Sequence, residues 1–347
     1  MILNFQSIIV CSGIILVSVL IRSDAHQHGS YMRNADDGFN YRTNWMSNIQ
    51  NHVRLSELAI PGTHDSSTFK GYGGDSATTQ VLSFDQQLNY GIRFFDIRVR
   101  HYANAFALHH AFVYLHVNFD DFLDSVSNFL RSNPSETVLF RLKEEYDSEG
   151  NSRSIAETLQ WYLYKHQGTY LKTNNRDINL GSARGKFIIL SDNYQFDSFG
   201  LQYGQSNIQD NYNLGTNWDL YSKWESVKNQ LENAKNGDPN TFYINYLSGS
   251  GGSFPYFVAS GHSSPGTSAP RLATGMTTPG WSNSSPDFPR IDCFIGICTI
   301  AFEGTNTLTY DKIREYNENR GGSRRTVGII VADFPGDSLI DVIIRNN

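Results

Sequence analysis

His64 and Asp65 are the first residues in the chain whose types and positions suit catalysis. They follow an apolar run and a Pro-Gly pair in L-A-I-P-G-T-H-D-S-S-T-F at Leu58–Phe69. We expect Pro61 to end a short buried strand and Gly62 to allow a sharp turn, which puts His64 at the strand's carboxyl end. A histidine beside a carboxylate can exchange protons near neutral pH. A histidine held in a polar turn accounts for this segment equally well when the segment is taken alone.

Other titratable residues stand at the ends of further predicted strands. In I-R-F-F-D-I-R-V-R at 92–100, alternation places Asp96 and Arg98 on one face and apolar residues on the other. A buried ion pair is the alternative interpretation of these two residues. Two histidines, several carboxylates and an inward arginine suit phosphodiester chemistry, which needs a base, an acid and a cation on the phosphoryl oxygens. The other strand-end residues are His110, Lys143, Asp192 and Asp333.

Strand and helix patterns alternate along the chain. Apolar residues at helical spacing predict helices over 119–130, 155–163 and 220–231, with strands predicted at 137–143, 187–190, 241–247 and 327–332. This order, with a polar residue at each strand end, predicts an α/β fold: a single irregular (β/α)8 TIM barrel over 26–347. The irregularity is expected in the second half, where helical patterns weaken. A Rossmann-type sheet fits less well, because no Gly-rich phosphate loop follows a strand.

Composition narrows the class of protein. The chain has 347 residues, is 39% hydrophobic and has a net charge of -6, which allows a large core. It has no Lys/Arg block, so no nucleic acid partner is expected.

Residues 1–21 carry no charge, and Ser23 and Ala25 fit a small-x-small cleavage site, so 1–25 is interpreted as a secretory signal. An uncleaved anchor is the alternative. We expect a secreted, extracellular monomer.

Two cysteines remain once the signal is removed. Cys293 and Cys298 lie in C-F-I-G-I-C, and in an exported protein such a pair is expected to form a disulfide. A metal site is the alternative interpretation, but two thiols without a nearby histidine are too few ligands.

Seven motifs, in order, resemble the phosphatidylinositol-specific phospholipase C family in its small secreted bacterial form, which has only the X-type barrel. The resemblance runs from about Trp45 to the C-terminus. It implies cleavage of phosphatidylinositol, or of a glycosyl-phosphatidylinositol anchor, at a membrane surface to diacylglycerol and a cyclic inositol phosphate. The motifs are I-P-G-T-H-D-S at 60–66, G-I-R-F-F-D-I-R at 91–98, L-H-H at 108–110, N-P-S-E-T-V at 133–138, L-K-E-E-Y at 142–146, Q-D-N-Y at 209–212 and V-G-I-I-V-A-D-F at 327–334.

The resemblance also implies catalytic roles. His64 would be the general base that activates the inositol 2-hydroxyl, and Asp333 would orient it. His110 would be the general acid that protonates the leaving diacylglycerol oxygen, and Asp65 would support it. Arg98 would neutralise the phosphoryl oxygens.

For inositol recognition, the resemblance points to Lys143, Asp210 and Tyr212. Asp192 departs from the family pattern, because bacterial members carry an arginine at this strand end. Asp192 is expected to accept hydrogen bonds from ring hydroxyls and to repel phosphorylated headgroups. Ala111 is a second departure, since it replaces the usual glycine after the histidine pair.

Metal dependence can be argued from charge. In the calcium-dependent branch of the family, carboxylates occupy the positions that match Arg98 and Lys143. Two cations there would repel a divalent ion, so we expect catalysis without metal and without a cofactor. The alternatives are an inactive inositol-lipid-binding barrel and a metal-dependent, phospholipase D-like enzyme.

Five aromatic residues in predicted loops are candidates for contact with a bilayer, although loop aromatics more often pack inward: Phe69, Tyr72, Phe254, Tyr256 and Phe257.

Overall fold

The computed structural model of the chain describes residues 29–34, 38–263, 271–320 and 326–347. The predicted signal at 1–25 lies outside them. The helices of eight or more residues are α2 Phe119–Ser132, α3 Ile155–Lys165, α5 Leu220–Asn236, α7 Thr305–Glu318 and α8 Asp337–Ile344. Shorter helices are α1 Phe84–Asn89, α4 Leu180–Ala183 and α6 Pro255–Ser260. The strands are β1 Ile60–Thr63, β2 Phe94–Tyr102, β3 Ala105–His110, β4 Val113–Asn118, β5 Thr137–Glu149, β6 Lys186–Ser191, β7 Leu201–Gln202, β8 Asn207–Gln209, β9 Asn213–Leu214, β10 Tyr243–Tyr246, β11 Ser250–Gly251, β12 Ala273–Thr278, β13 Arg290–Phe294, β14 Ile297–Ala301 and β15 Ile329–Ala332.

Eight parallel strands curl into one sheet in the order β7-β6-β5-β2-β1-β15-β10-β8. Within the described ranges, no ladder joins the two edge strands β7 and β8, which are two and three residues long. The predicted irregular barrel is therefore confirmed, with an opening between these edges. The predicted helices at 119–130, 155–163 and 220–231 are confirmed as α2, α3 and α5.

Alternation along β2 separates two parts of the core. Phe94 packs inside the barrel with Ile60, whereas Phe95 packs outward in the apolar cluster that contains Phe122 of α2. Side chains two residues apart on a strand share a face. The charged residues that follow Phe94 at spacing two therefore lie on the interior side, towards the carboxyl end of the strand.

The first strand runs through the Pro-Gly pair, so the expectation that Pro61 ends it is wrong. A proline is tolerated in this strand because its carbonyl still accepts a hydrogen bond from Arg93 N (3.0 Å). Its nitrogen, which has no hydrogen to donate, lies before the first paired residue of β2, so the ladder loses no hydrogen bond. Gly62 is needed for close packing rather than for a turn, because a Cβ there would lie 2.9 Å from the Phe94 ring. His64 follows β1, and its N–H extends the ladder to Ala332 O (3.1 Å).

The L-H-H segment forms an antiparallel hairpin rather than another barrel strand. Ala103 and Asn104 both have positive φ (49° and 62°), the geometry of a tight two-residue hairpin turn. β3 therefore folds back on β2, with Val99 opposite Leu108. His110 reaches the barrel mouth from this hairpin.

A second antiparallel unit lies in the second half of the chain, where the helical patterns of the sequence weaken. It is the three-stranded sheet β12-β14-β13. Cys293 and Cys298 are joined by a disulfide at its tip.

Candidate active site

A cavity of about 260 Å³ opens at the carboxyl ends of the parallel strands. In barrels of this kind, chemistry is concentrated at that end. Most of the residues singled out from the sequence meet here, although they are far apart in the chain. The lining residues are His64, Ser76, Thr79, Arg98, His110, Arg141, Lys143, Glu145, Asp210, Tyr212, Gly249, Ser250, Pro255 and Asp333.

His64 is held between an acid and a cation. Its Nδ1 lies 2.7 Å from Asp333 Oδ1, and Arg98 Nη2 lies 2.8 Å from its Nε2. Because arginine only donates, Nε2 is the acceptor and the proton of the neutral ring sits on Nδ1. Burial opposes the charged form, but the charge and hydrogen bond of Asp333 outweigh it and raise the pKa of His64. The Nε2 lone pair of this ring is therefore held by Arg98, which lines the same cavity.

Arg98 is surrounded by carboxylates. Its Nη1 lies 3.3 Å from Asp65 Oδ2 and 3.2 Å from Glu145 Oε1, and its Nη2 donates to Asp96 Oδ2 at 2.9 Å. Burial alone would raise the pKa of Asp96, but Arg98 and Arg141 lower it well below its usual range. The Arg98 guanidinium therefore keeps its charge and a fixed orientation at the centre of the site.

The second histidine faces the same centre from the β3–β4 hairpin. His110 Nε2 lies 3.4 Å from Asp65 Oδ2, and its side chain is 24% exposed. Asp65 itself is buried and has a φ of +44°, a region where non-glycine residues are uncommon. Ala111, the next residue after His110, also has positive φ (48°). This conformation explains why a glycine is the usual residue at this position.

Three residues expected to bind inositol line the cavity wall: Lys143, Asp210 and Tyr212. Lys143 Nζ lies 2.8 Å from Glu145 Oε2. The Tyr212 ring is 57% exposed, which leaves its face open to a ligand.

Asp192 does not stand on the cavity wall in the way the sequence analysis expects. Arg141 binds it through two nitrogens, with Nε at 2.9 Å and Nη2 at 2.6 Å from Asp192 Oδ2. Arg141 also lies 4.6 Å above the Tyr203 ring and is itself a lining residue. A basic group is thus present beside this strand end, supplied by β5 instead of β6, and it compensates the charge of Asp192.

Arg141 and Glu145 were missed by the sequence analysis. Arg141, Lys143 and Glu145 are spaced by two along β5, so alternation alone would have placed them on one face.

The expected membrane contacts of the loop aromatics are mostly wrong. Tyr256 and Phe257 are only 5% and 1% exposed, because Pro255 begins helix α6 and turns both rings inward. Phe69 packs edge-on against Phe84 (5.2 Å). The remaining two, Tyr72 (41%) and Phe254 (53%), are exposed.

Comparison with known proteins agrees with this geometry. The family profile "Phosphatidylinositol-specific phospholipase C, X domain" matches residues 61–193. A 1-phosphatidylinositol phosphodiesterase of Staphylococcus aureus is 31% identical over 274 residues, which is 69% of this chain and 86% of that protein. The chain belongs to the phosphatidylinositol-specific phospholipase C family. A family member of the same name from Listeria monocytogenes is 30% identical over 321 residues, covering 87% of this chain and 84% of that protein.

Solved structures of the family share the fold. A phosphatidylinositol-specific phospholipase C from Listeria monocytogenes has a TM-score of 0.64 at 23% identity, over 89% of this chain and 99% of that one. One from Staphylococcus aureus has a TM-score of 0.63 at 23% identity, over 88% and 98% of the two chains. No helix in the described part of the chain combines the length and apolar character of a membrane span.

Proposed function

We propose that this protein is a metal-independent phosphatidylinositol-specific phospholipase C. The observation that carries the proposal is the pair of histidine–carboxylate dyads, His64–Asp333 and His110–Asp65, that face one cavity with Arg98 between them. One dyad can take a proton while the other gives one, and the guanidinium can stabilise the negative charge that develops on the phosphoryl oxygens.

The reaction balances with these groups alone. His64 Nε2 takes the proton of the inositol 2-hydroxyl, and that oxygen attacks phosphorus. The bond from phosphorus to the diacylglycerol oxygen breaks, and His110 donates the proton that this oxygen needs. The products are diacylglycerol and a cyclic inositol phosphate, which the same histidines with exchanged roles would hydrolyse slowly.

Charge in the site supports catalysis without metal. Arg98 lies at the point where Asp65, Asp96 and Glu145 converge. A divalent cation would be attracted to these three carboxylates, but the guanidinium already occupies that position. Lys143 adds a second positive charge nearby. Both would repel a hard dication.

Substrate binding is assigned to the cavity wall. Lys143 and Asp210 would bind ring hydroxyls, and Tyr212 would lie against the apolar face of the sugar. Asp192 would act through Arg141, which it orients. We expect the mature enzyme to be exported and to work on a membrane surface.

Phosphorus NMR of the purified protein with phosphatidylinositol vesicles in excess EDTA tests the proposal. Accumulation of a cyclic inositol phosphate is expected, and His64→Ala and His110→Ala should each slow it about 10²-fold or more. The matched control is His52→Ala, because His52 is exposed and is not a lining residue of the cavity. Turnover that needs added calcium would contradict the charge argument, and no turnover in either condition would favour a binding role.

A further inference from the structure

The hairpin formed by β13 and β14 carries an exposed apolar tip. Phe294 and Ile297 face each other across a two-residue turn, Ile295–Gly296. Their exposed fractions are 74% for Phe294, 84% for Ile295 and 54% for Ile297. Trp281, which is 55% exposed, lies near the same end, because Thr278 pairs with Cys298. Bulky apolar residues of this size are normally buried, so their concentration at one tip needs a cause.

The backbone of the turn indicates that Ile295 is not there for folding. Ile295 has a φ of +46° and Gly296 a φ of +80°, so both central residues are left-handed. Asn-Gly is the sequence this turn prefers, and a β-branched residue is disfavoured in the left-handed region. The chain therefore accepts a poor turn residue and gains an exposed isoleucine.

The tip is held firmly in place. The Cys293–Cys298 disulfide closes the hairpin directly beside the turn. At the other end of the sheet, Phe302 packs 5.3 Å from Phe257 and 5.9 Å from Phe288. A braced hairpin cannot fold its apolar tip back onto the barrel, so the tip stays available to a partner.

The base of this sheet is on the cavity side of the barrel. Phe257, against which Phe302 packs, belongs to the same short helix as the cavity-lining residue Pro255. The sheet that carries the tip is therefore rooted beside the cavity.

The size and charge of the tip favour a lipid bilayer over a protein. Three side chains of this type expose roughly 400 Å² in total, whereas a stable protein interface needs about 800 Å² on each partner. The segment 291–299 carries a single charge, Asp292, and no Lys or Arg. A small convex apolar tip can instead enter the acyl boundary of a membrane, with Trp281 at the headgroup level.

We propose that the disulfide-closed tip Phe294–Ile297 inserts into a zwitterionic bilayer and anchors the enzyme beside its lipid substrate. This proposal rests on the proposed function, because it names the surface that the same active site would work on. The anchor acts through apolar contact and needs no inositol lipid, so it can be tested without catalysis.

The test measures binding to phosphatidylcholine vesicles that contain no phosphatidylinositol. Ile295→Asn and Phe294→Ser should each weaken binding about tenfold, and the double variant about a hundredfold, since one buried side chain of this size accounts for at least a factor of ten. Raising the salt from about 0.1 M to about 0.5 M should not weaken wild-type binding. Because asparagine suits the turn better, Ile295→Asn should leave the melting temperature unchanged or higher.

Two controls separate this proposal from its alternatives. Tyr164→Ser removes an aromatic residue of α3 that is 72% exposed, and it should bind vesicles as the wild type does. Turnover of a soluble short-chain phosphatidylinositol should be unchanged in all three single variants. Vesicle binding that survives in the double variant, or that is lost equally in Tyr164→Ser, would overturn the proposal. Tip-dependent binding by a protein without phosphodiesterase activity would refute the proposed function and leave the anchor standing.

Discussion

Asp333 and Arg98 act on the pKa of His64 in opposite directions, which gives a sharp test of its role as base. The base is active when neutral, so kcat/KM must fall as the pH drops through the His64 pKa. Burial and Arg98 lower this pKa, but the charge and hydrogen bond of Asp333 outweigh them and raise it above its usual value. Asp333→Asn should therefore move the acid limb of the profile to a lower pH than in the wild type. Arg98→Met should move it to a higher pH than in the wild type.

The two variants should also lose rate for different reasons. The 2.7 Å contact with Asp333 fixes the Nδ1–H tautomer, and losing such a partner costs about 10²- to 10⁴-fold in kcat. Arg98→Met removes the cation from the phosphoryl oxygens, which costs about 10²- to 10³-fold. These factors correspond to about 3 to 5 kcal/mol of transition-state stabilisation, so the residual rates remain measurable.

The assay is kcat/KM against pH on a soluble short-chain phosphatidylinositol, which removes vesicle binding from the measurement. Asp192→Asn is the matched control, because the Asp192 carboxylate pairs with Arg141 and does not contact His64. It should change KM and leave the acid limb in place. If both active-site variants shift the limb in the same direction, or if Asp192→Asn shifts it as far, His64 is not the group that titrates.

Three further predictions follow from individual contacts. His110→Ala should slow phosphatidylinositol cleavage about 10²- to 10⁴-fold in a phosphorus NMR assay, but by less than about tenfold with a nitrophenyl leaving group, which needs no acid. Arg141→Ala should raise KM and lower the melting temperature. The double variant Arg141→Ala/Asp192→Ala should recover part of the lost melting temperature, because an unpaired Asp192 carboxylate destabilises the fold more than the absence of both partners does. Ala111→Gly should stabilise the fold by about 1 kcal/mol in calorimetry, since Ala111 has a φ of +48°.

Local patterns were enough to predict the parts of the site that depend on strand ends. An apolar run followed by a polar residue predicted the places of His64 and Asp333, and both lie at the carboxyl ends of neighbouring parallel strands. Alternation in β2 predicted that Asp96 and Arg98 share an interior face. These features depend on the two-residue period of a strand, which the sequence displays directly.

Features that depend on pairing between distant segments could not be predicted in this way. Arg141 meets Asp192 only because β5 and β6 pair with Arg141 opposite Leu190, a register that the sequence does not display. The β2–β3 hairpin was missed because its turn residues, Ala103 and Asn104, lack the Asn-Gly signature. Without the register, Asp192 was assigned to the ligand rather than to an arginine.

The charge balance of the cavity favours an inositol ring without extra phosphates. The phosphodiester lies against Arg98, whose charge three carboxylates already share, so a second phosphate would need Arg141 or Lys143, and each of these is held by a carboxylate as well. Taking Arg141 would leave the Asp192 carboxylate without its cation, and taking Lys143 would leave Glu145 to Arg98 alone, which the first phosphate also needs. We therefore expect inositol 1-phosphate to compete with substrate at least tenfold better than inositol 1,4-bisphosphate. Equal inhibition constants would mean that a cation in the cavity is free to bind a second phosphate.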